Sequence, residues 1–90
     1  MNIEKIDTLL AFVKTRMIAK AKLYDGFEST DKTDAVFQHT KSCIEELGEV
    51  VSAHTRQRLE LAKMECIDVV HSAMNLYFAI ENEQKQGVEL

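Results

Sequence analysis

The stretch IEELGEVVSAHTRQRLELAKMECIDVV, residues 44–70, decides the fold of this 90-residue chain. Its apolar residues recur at intervals of three and four, which is the period of an α-helix with one buried face. Acidic residues interrupt the apolar pattern at both ends of the stretch: Glu45, Glu46, Glu49, Glu65 and Asp68. Because an unpaired charge is costly to bury, carboxylates beside a buried face need a physical reason.

The composition favours helices over a sheet with many turns. The chain has no proline and only three glycines, while strong helix formers such as Ala, Leu, Glu and Lys are plentiful. Ninety residues make one small domain with a modest core, to which oligomerisation would add. The net charge of -4, with acids and bases interleaved, argues against a general nucleic-acid binder. We therefore expect an all-α protein.

Helical periodicity divides the chain into segments. The first helix is predicted at about 2–23, and the polar, glycine-containing stretch YDGFESTDKTD at 24–34 is predicted to be a loop. Thr33 or Asp34 is a suitable N-cap for the next helix, because a short polar side chain accepts hydrogen bonds from the first-turn amides. The apolar pattern resumes at Ala35 and lasts to residue 81. We expect a single domain at 1–81 and a frayed polar tail at 82–90.

The segment 35–81 is either one rod or two helices, since HTRQR at 54–58 contains neither glycine nor proline. On one continuous helix, Glu49 and Glu65 would lie about 24 Å apart at ~1.5 Å per residue. A reversal near Gln57 would instead place Glu49 opposite Glu65 and Glu46 opposite Asp68. We therefore predict a helical hairpin preceded by an N-terminal helix.

Four carboxylates would meet in this hairpin. Within each helix the two acids are three residues apart, so they project from one side at adjacent turns. Such a group repels itself strongly and needs a compensating cation. Ligation by oxygen alone suits a hard divalent ion, Mg²⁺ or Mn²⁺. A partly buried network of salt bridges would have the same spacing, so the residues alone leave both interpretations open.

The motif EELGE at 45–49, followed after fifteen residues by ECID at 65–68, resembles the EExxE…ExxD pattern of the MazG-like all-α nucleoside triphosphate pyrophosphohydrolases. The resemblance spans about 37–80 and includes Asn75, which matches an asparagine that many members carry. It implies Mg²⁺ ligation by Glu46, Glu49, Glu65 and Asp68. It also implies that Glu45 is a further ligand or a base for water. The implied reaction converts a nucleoside triphosphate to the monophosphate and pyrophosphate.

The sequence indicates the substrate-binding residues less clearly than it indicates the metal ligands. Lys41 and Lys63 flank the acidic hairpin and are the first candidates for phosphate binding. His39 is a candidate for stacking on the base, and Asn75 becomes a substrate-binding candidate through the resemblance. The chain has no tryptophan, a residue that commonly lines the base pocket in this superfamily, so the base preference stays open.

The third helical segment is apolar nearly all round, with Ile67, Met74 and Phe78 away from its main stripe. Three helices of one protomer cannot cover such a surface, so we expect a homodimer or homotetramer that forms a helical bundle. Acids at Glu4 and Asp7 fit neither a signal peptide nor a membrane span, and a cytoplasmic protein is expected.

The leading functional prediction is therefore a Mg²⁺-dependent house-cleaning pyrophosphohydrolase. It would act on nucleoside triphosphates and would bind neither a nucleic acid polymer nor a membrane. One alternative is a narrower member of the superfamily that hydrolyses dUTP, dCTP or phosphoribosyl-ATP. The other is a non-catalytic helical dimer that binds a partner protein.

Overall fold

Three α-helices make up the described part of the chain. The computed structural model describes residues 2–23, 29–30 and 33–87, and the helices in these ranges are α1 (Ile3–Leu23), α2 (Ala35–Thr55) and α3 (Leu59–Lys85). No strand occurs among the described residues, which confirms the all-α prediction. The predicted loop at 24–34 is described only in part, and residues 24–28 and 31–32 lie outside the described ranges.

The chain reverses between α2 and α3 at Gln57, as predicted. Gln57 has a left-handed backbone with φ 58°, and its amide donates to the carbonyl of His54 at 2.9 Å. The Arg58 amide donates to the carbonyl of Ala53, also at 2.9 Å. These two bonds close the last turn of α2 in the Schellman arrangement, in which glycine is the usual left-handed residue. Here glutamine takes that position, so the sequence carries no glycine signal for the turn.

Replacing Gln57 by glycine is expected to stabilise the protein by about 0.5–1 kcal/mol. A left-handed conformation costs an L-residue about 1–2 kcal/mol, and part of the gain is offset by the greater entropy that glycine has in the unfolded chain. Chemical denaturation of Gln57→Gly and of Gln57→Ala measures the difference. Equal stability of the two variants would show that the turn is not strained at this residue.

Two helix ends differ in detail from the prediction. Helix α3 continues through 82–85, beyond the predicted start of the tail at Asn82. The Asn82 side-chain amide donates to the carbonyl and the hydroxyl of Thr30, at 2.8 and 3.0 Å, so it is anchored to a distant part of the chain. The helix ends where Gly87 adopts φ 74°. At the start of α2, Asp34 occupies the N-cap position but makes no side-chain capping hydrogen bond.

Packing is concentrated in the α2–α3 hairpin, and α1 lies against α3. The buried apolar residues of the described chain are few and mostly small: Val13, Ala35, Ala53, Ala62, Ile67 and Ala79. Ile67 is therefore covered within the protomer, contrary to the expectation that it faces away. Met74 and Phe78 are exposed as expected, together with large apolar residues on all three helices. No helix in the described ranges is long and apolar enough to cross a membrane.

Candidate metal centre

Three glutamates converge between the two helices of the hairpin. Glu46 and Glu49 project from adjacent turns of α2, and Glu65 projects from α3. Each offers one carboxylate oxygen, and the three oxygens lie within 4.8 Å of one another. The antiparallel reversal at Gln57 brings Glu65 to this place, because Glu65 is distant along the chain from Glu46 and Glu49, which are neighbours on α2. We call these residues the three-glutamate cluster.

The cluster is partly removed from water. Glu46 and Glu65 are half-buried, whereas Glu49 is exposed. One oxygen of each half-buried side chain, Oε2 of Glu46 and Oε2 of Glu65, is fully buried and accepts no hydrogen bond from the described part of the chain. An unsatisfied buried carboxylate oxygen costs free energy, so binding of a cation or a proton by these atoms is strongly favoured.

The pKa values of the half-buried glutamates reflect this cost. Burial raises the pKa of Glu46 to about 7, and the negative charges of Glu49 and Asp68 add to the effect. Burial also raises the pKa of Glu65, with a further contribution from the nearby Glu49 carboxylate. Neutralisation by a proton at Glu46 therefore competes with any cation near physiological pH.

We expect the stability of the protein without divalent metal to fall between about pH 5 and 7.5. The folded-state pKa of Glu46 lies above its unfolded value, so its stabilising contribution is complete below about pH 4.5 and is lost as the pH rises through about 7. The displacement of this pKa from 4.5 to about 7 corresponds in full to about 3 kcal/mol, and solvent screening of the half-buried side chain reduces the expected loss to on the order of 1 kcal/mol, or about 4–8 °C in Tm. Thermal unfolding at fixed protein concentration with chelator tests this, and Glu46→Gln should flatten the profile. A wild-type profile that rises over this range would contradict the prediction.

Asp68, the predicted fourth ligand, is adjacent to the cluster but has other partners. The Arg16 guanidinium donates from Nε to Oδ1 at 2.6 Å and from its terminal nitrogen to Oδ2 at 3.0 Å. Lys20 Nζ donates to Oδ1 at 3.0 Å. Burial alone would raise the pKa of Asp68, but the hydrogen bonds from Arg16 and Lys20 outweigh it and hold that pKa below its usual value. The predicted quartet is thus a cluster of three, plus an aspartate neutralised by α1.

The three-glutamate cluster fits a small hard cation. A Mg²⁺ ion has oxygen ligands at about 2.1 Å, so opposite ligands lie about 4 Å apart. The observed spread of 4.8 Å needs only a small inward movement of the side chains. The two buried, unpartnered oxygens of Glu46 and Glu65 would gain the partner that they otherwise lack. Glutamate oxygens alone suit Mg²⁺ or Mn²⁺ better than a metal that prefers nitrogen or sulfur.

The remaining predicted site residues lie in different environments. Glu45 and Lys41 are exposed on α2. Lys63 is exposed and pairs with Glu60 at 3.8 Å. Asn75 is buried on α3, about two turns beyond Asp68.

His39 is also buried, and its ring Nε2 donates to the carbonyl of Ser29 at 2.6 Å. This bond joins α2 to the segment that precedes it. The structure therefore places His39 in a packing environment, whereas the sequence indicated a stacking residue.

The sequence does not predict that α1 contributes side chains to the site. In the sequence, Arg16 and Lys20 are two of several basic residues in the second half of the first helix, where most such side chains are solvated. Their spacing of four residues places both on one face of α1, and this was the available signal. It did not identify their partner, because Asp68 is 52 residues from Arg16 in the chain.

Comparison of the chain with protein-family models, with curated proteins and with solved structures found no match in any of the three.

Proposed function

We propose that the protein is a Mg²⁺-dependent nucleoside triphosphate pyrophosphohydrolase that converts a (deoxy)nucleoside triphosphate and water to the monophosphate and pyrophosphate. The observation that carries this proposal is the three-glutamate cluster with its two buried, unpartnered carboxylate oxygens. The cluster coincides with the EExxE…ExxD motif, which resembles that of the MazG-like pyrophosphohydrolases. A house-cleaning role in nucleotide pools follows from the same resemblance.

Each carboxylate has a role in this proposal. Glu46, Glu49 and Glu65 hold Mg²⁺, or Mn²⁺ in its place. The bound ion supplies positive charge that offsets the triphosphate and polarises the phosphoryl group under attack. The cluster carboxylates and the exposed Glu45 orient the attacking water and accept its proton. No covalent nucleophile is required.

Asp68 has a conditional role as the fourth ligand. Its carboxylate joins the metal only by giving up the hydrogen bonds from Arg16 and Lys20. Those two cations would then lie beside the site, where a phosphate oxygen could replace Asp68 as their acceptor. Asn75, farther along the same side of α3, is retained as a substrate-binding candidate.

The experiment that tests the function is a panel of ribo- and deoxynucleoside triphosphates, incubated with the protein in Mg²⁺ and, separately, in chelator. Monophosphate and pyrophosphate release are followed together. We expect pyrophosphate release that depends on metal and that ranks the bases. Hydrolysis of dUTP, dCTP or phosphoribosyl-ATP alone would favour the narrower alternative. No turnover combined with no metal-induced rise in Tm would favour the non-catalytic partner-binding dimer.

We also propose that the active form is a homodimer or homotetramer. The support is the exposed apolar surface, which includes a groove of about 970 Å³ between α1 and α3 lined in part by Leu9, Phe12 and Met64. A monomer of this size rarely leaves so many large apolar side chains exposed to water.

Light scattering is expected to give at least twice the 10.3 kDa chain mass. Phe12→Glu should shift the protein to a smaller species, because it places a charge in the groove between α1 and α3. A monomer at all concentrations would contradict the prediction.

A further inference from the structure

A small cleft lies beside the three-glutamate cluster, at the turn end of the hairpin. Its volume is about 160 Å³. Two cluster members, Glu49 and Glu65, line one part of it, and Arg56 and Arg58 line the part that belongs to the turn. The remaining lining residues are Ser52, Ala53 and Leu61. The cleft thus joins a candidate cation site to two guanidinium groups.

The two arginines are available to an anionic ligand. Both are exposed, and neither forms an ion pair with the described part of the chain. The carboxyl end of α2 and the amino end of α3 meet at this turn, so their helix dipoles oppose each other. The favourable potential for an anion therefore comes from the side chains. A planar guanidinium binds phosphate oxygens with two parallel hydrogen bonds, which a lysine cannot do.

The size of the cleft limits what it can hold. Pockets for complete small-molecule ligands are typically about 300–1,000 Å³, so a cleft of about 160 Å³ is suited to phosphate groups and is small for a nucleoside. Neither Lys41 nor Lys63, the lysines that the sequence indicated for phosphate binding, lines this cleft. Without a cation, Glu49 and Glu65 would repel a phosphate here, so the cleft suits an anion that binds together with a metal.

We propose that Arg56 and Arg58 bind the terminal phosphates of the substrate, the part that leaves as pyrophosphate. This inference rests on the proposed function. Along the hairpin, the arginines of the turn come first, then Glu49 and Glu65, and then Glu46. The order directs the phosphate tail toward the turn and the nucleoside toward the opposite end of the cluster, where Asp68 and Asn75 lie.

The test measures binding of inorganic pyrophosphate by calorimetry, in excess Mg²⁺ and in chelator. With Mg²⁺, Arg56→Gln and Arg58→Gln are each expected to weaken pyrophosphate binding about 10-fold or more, because each removes charge-assisted hydrogen bonds. Lys85→Gln, at the far end of α3, is the matched control and should bind like the wild type. Mn²⁺ titration should give the arginine variants an unchanged or slightly tighter metal affinity, since a nearby positive charge has been removed.

The outcomes separate this inference from the proposed function. Metal binding by the wild type, with pyrophosphate affinity unaffected in both arginine variants, overturns the inference and leaves the function standing. A loss confined to Lys63→Gln overturns it in favour of that lysine. If the wild type binds no metal, the proposed function fails, and pyrophosphate binding that depends on the arginines would support the anion site alone. No arginine-dependent binding in either condition overturns it.

Discussion

Glu49→Gln is expected to lower Mg²⁺-dependent pyrophosphate release at least about 100-fold and to abolish the metal-induced rise in Tm. The three glutamates each offer a carboxylate oxygen within 4.8 Å of the others, and the change replaces one of these charged ligands by a neutral amide. Mutations that only disturb the orientation of a metal ligand typically cost 10–100-fold, so loss of a ligand should cost at least as much.

The same variant should be at least as stable as the wild type when no divalent metal is present. The charge of Glu49 contributes to the raised pKa of both Glu46 and Glu65, so its removal relieves repulsion in the cluster. Loss of activity with retained stability distinguishes a ligand from a structural residue. Glu60→Gln, at an exposed glutamate elsewhere on the hairpin, is the control and should keep both activity and metal response. Wild-type turnover in the Glu49→Gln variant would exclude the cluster as the catalytic metal site.

Arg16→Ala is expected to lower the free energy of unfolding by about 1–3 kcal/mol. Removing one partner of a buried ion pair typically costs 3–5 kcal/mol. The side chain of Asp68 is only 7% exposed, but that of Arg16 is 34% exposed and Lys20 remains as a second partner, so a smaller cost is expected. The loss of stability should be largest in α1, because this ion pair joins α1 to α3.

Denaturant unfolding of Arg16→Ala beside Lys14→Ala provides the measurement and its control. Lys14 is exposed on the same helix, and its replacement should change stability by no more than about 0.5 kcal/mol. Arg16→Lys should fall between the two, since it keeps the charge and loses the two-pronged contact. A double-mutant cycle with Asp68→Asn isolates the pair itself. Equal stability of the Arg16 and Lys14 alanine variants would show that the ion pair adds nothing to folding.

The helical segments and the place of the hairpin turn follow closely from the sequence. Periodicity gives α1 and α2 nearly to the residue, because helix formation is governed by local propensity and by one apolar face. The reversal at Gln57 was inferred from the acids, since no glycine marks it. The predicted end of α3 is too early, because the hydrogen bonds of Asn82 to Thr30 join it to a distant part of the chain.

The sequence by itself determined that Glu46, Glu49 and Glu65 meet, and it placed Asp68 with them. Residues three apart on a helix share a face, and a hairpin with a fixed turn has one register, so the acids of the two helices face one another wherever these helices pack. Tertiary structure alone decided that Asp68 is neutralised by Arg16 and Lys20, and that Arg56 and Arg58 border the cleft beside Glu49. Those contacts depend on how α1 docks and on how the turn orients its side chains. Neither the docking of α1 nor the orientation of the turn side chains produces a periodic pattern in the sequence.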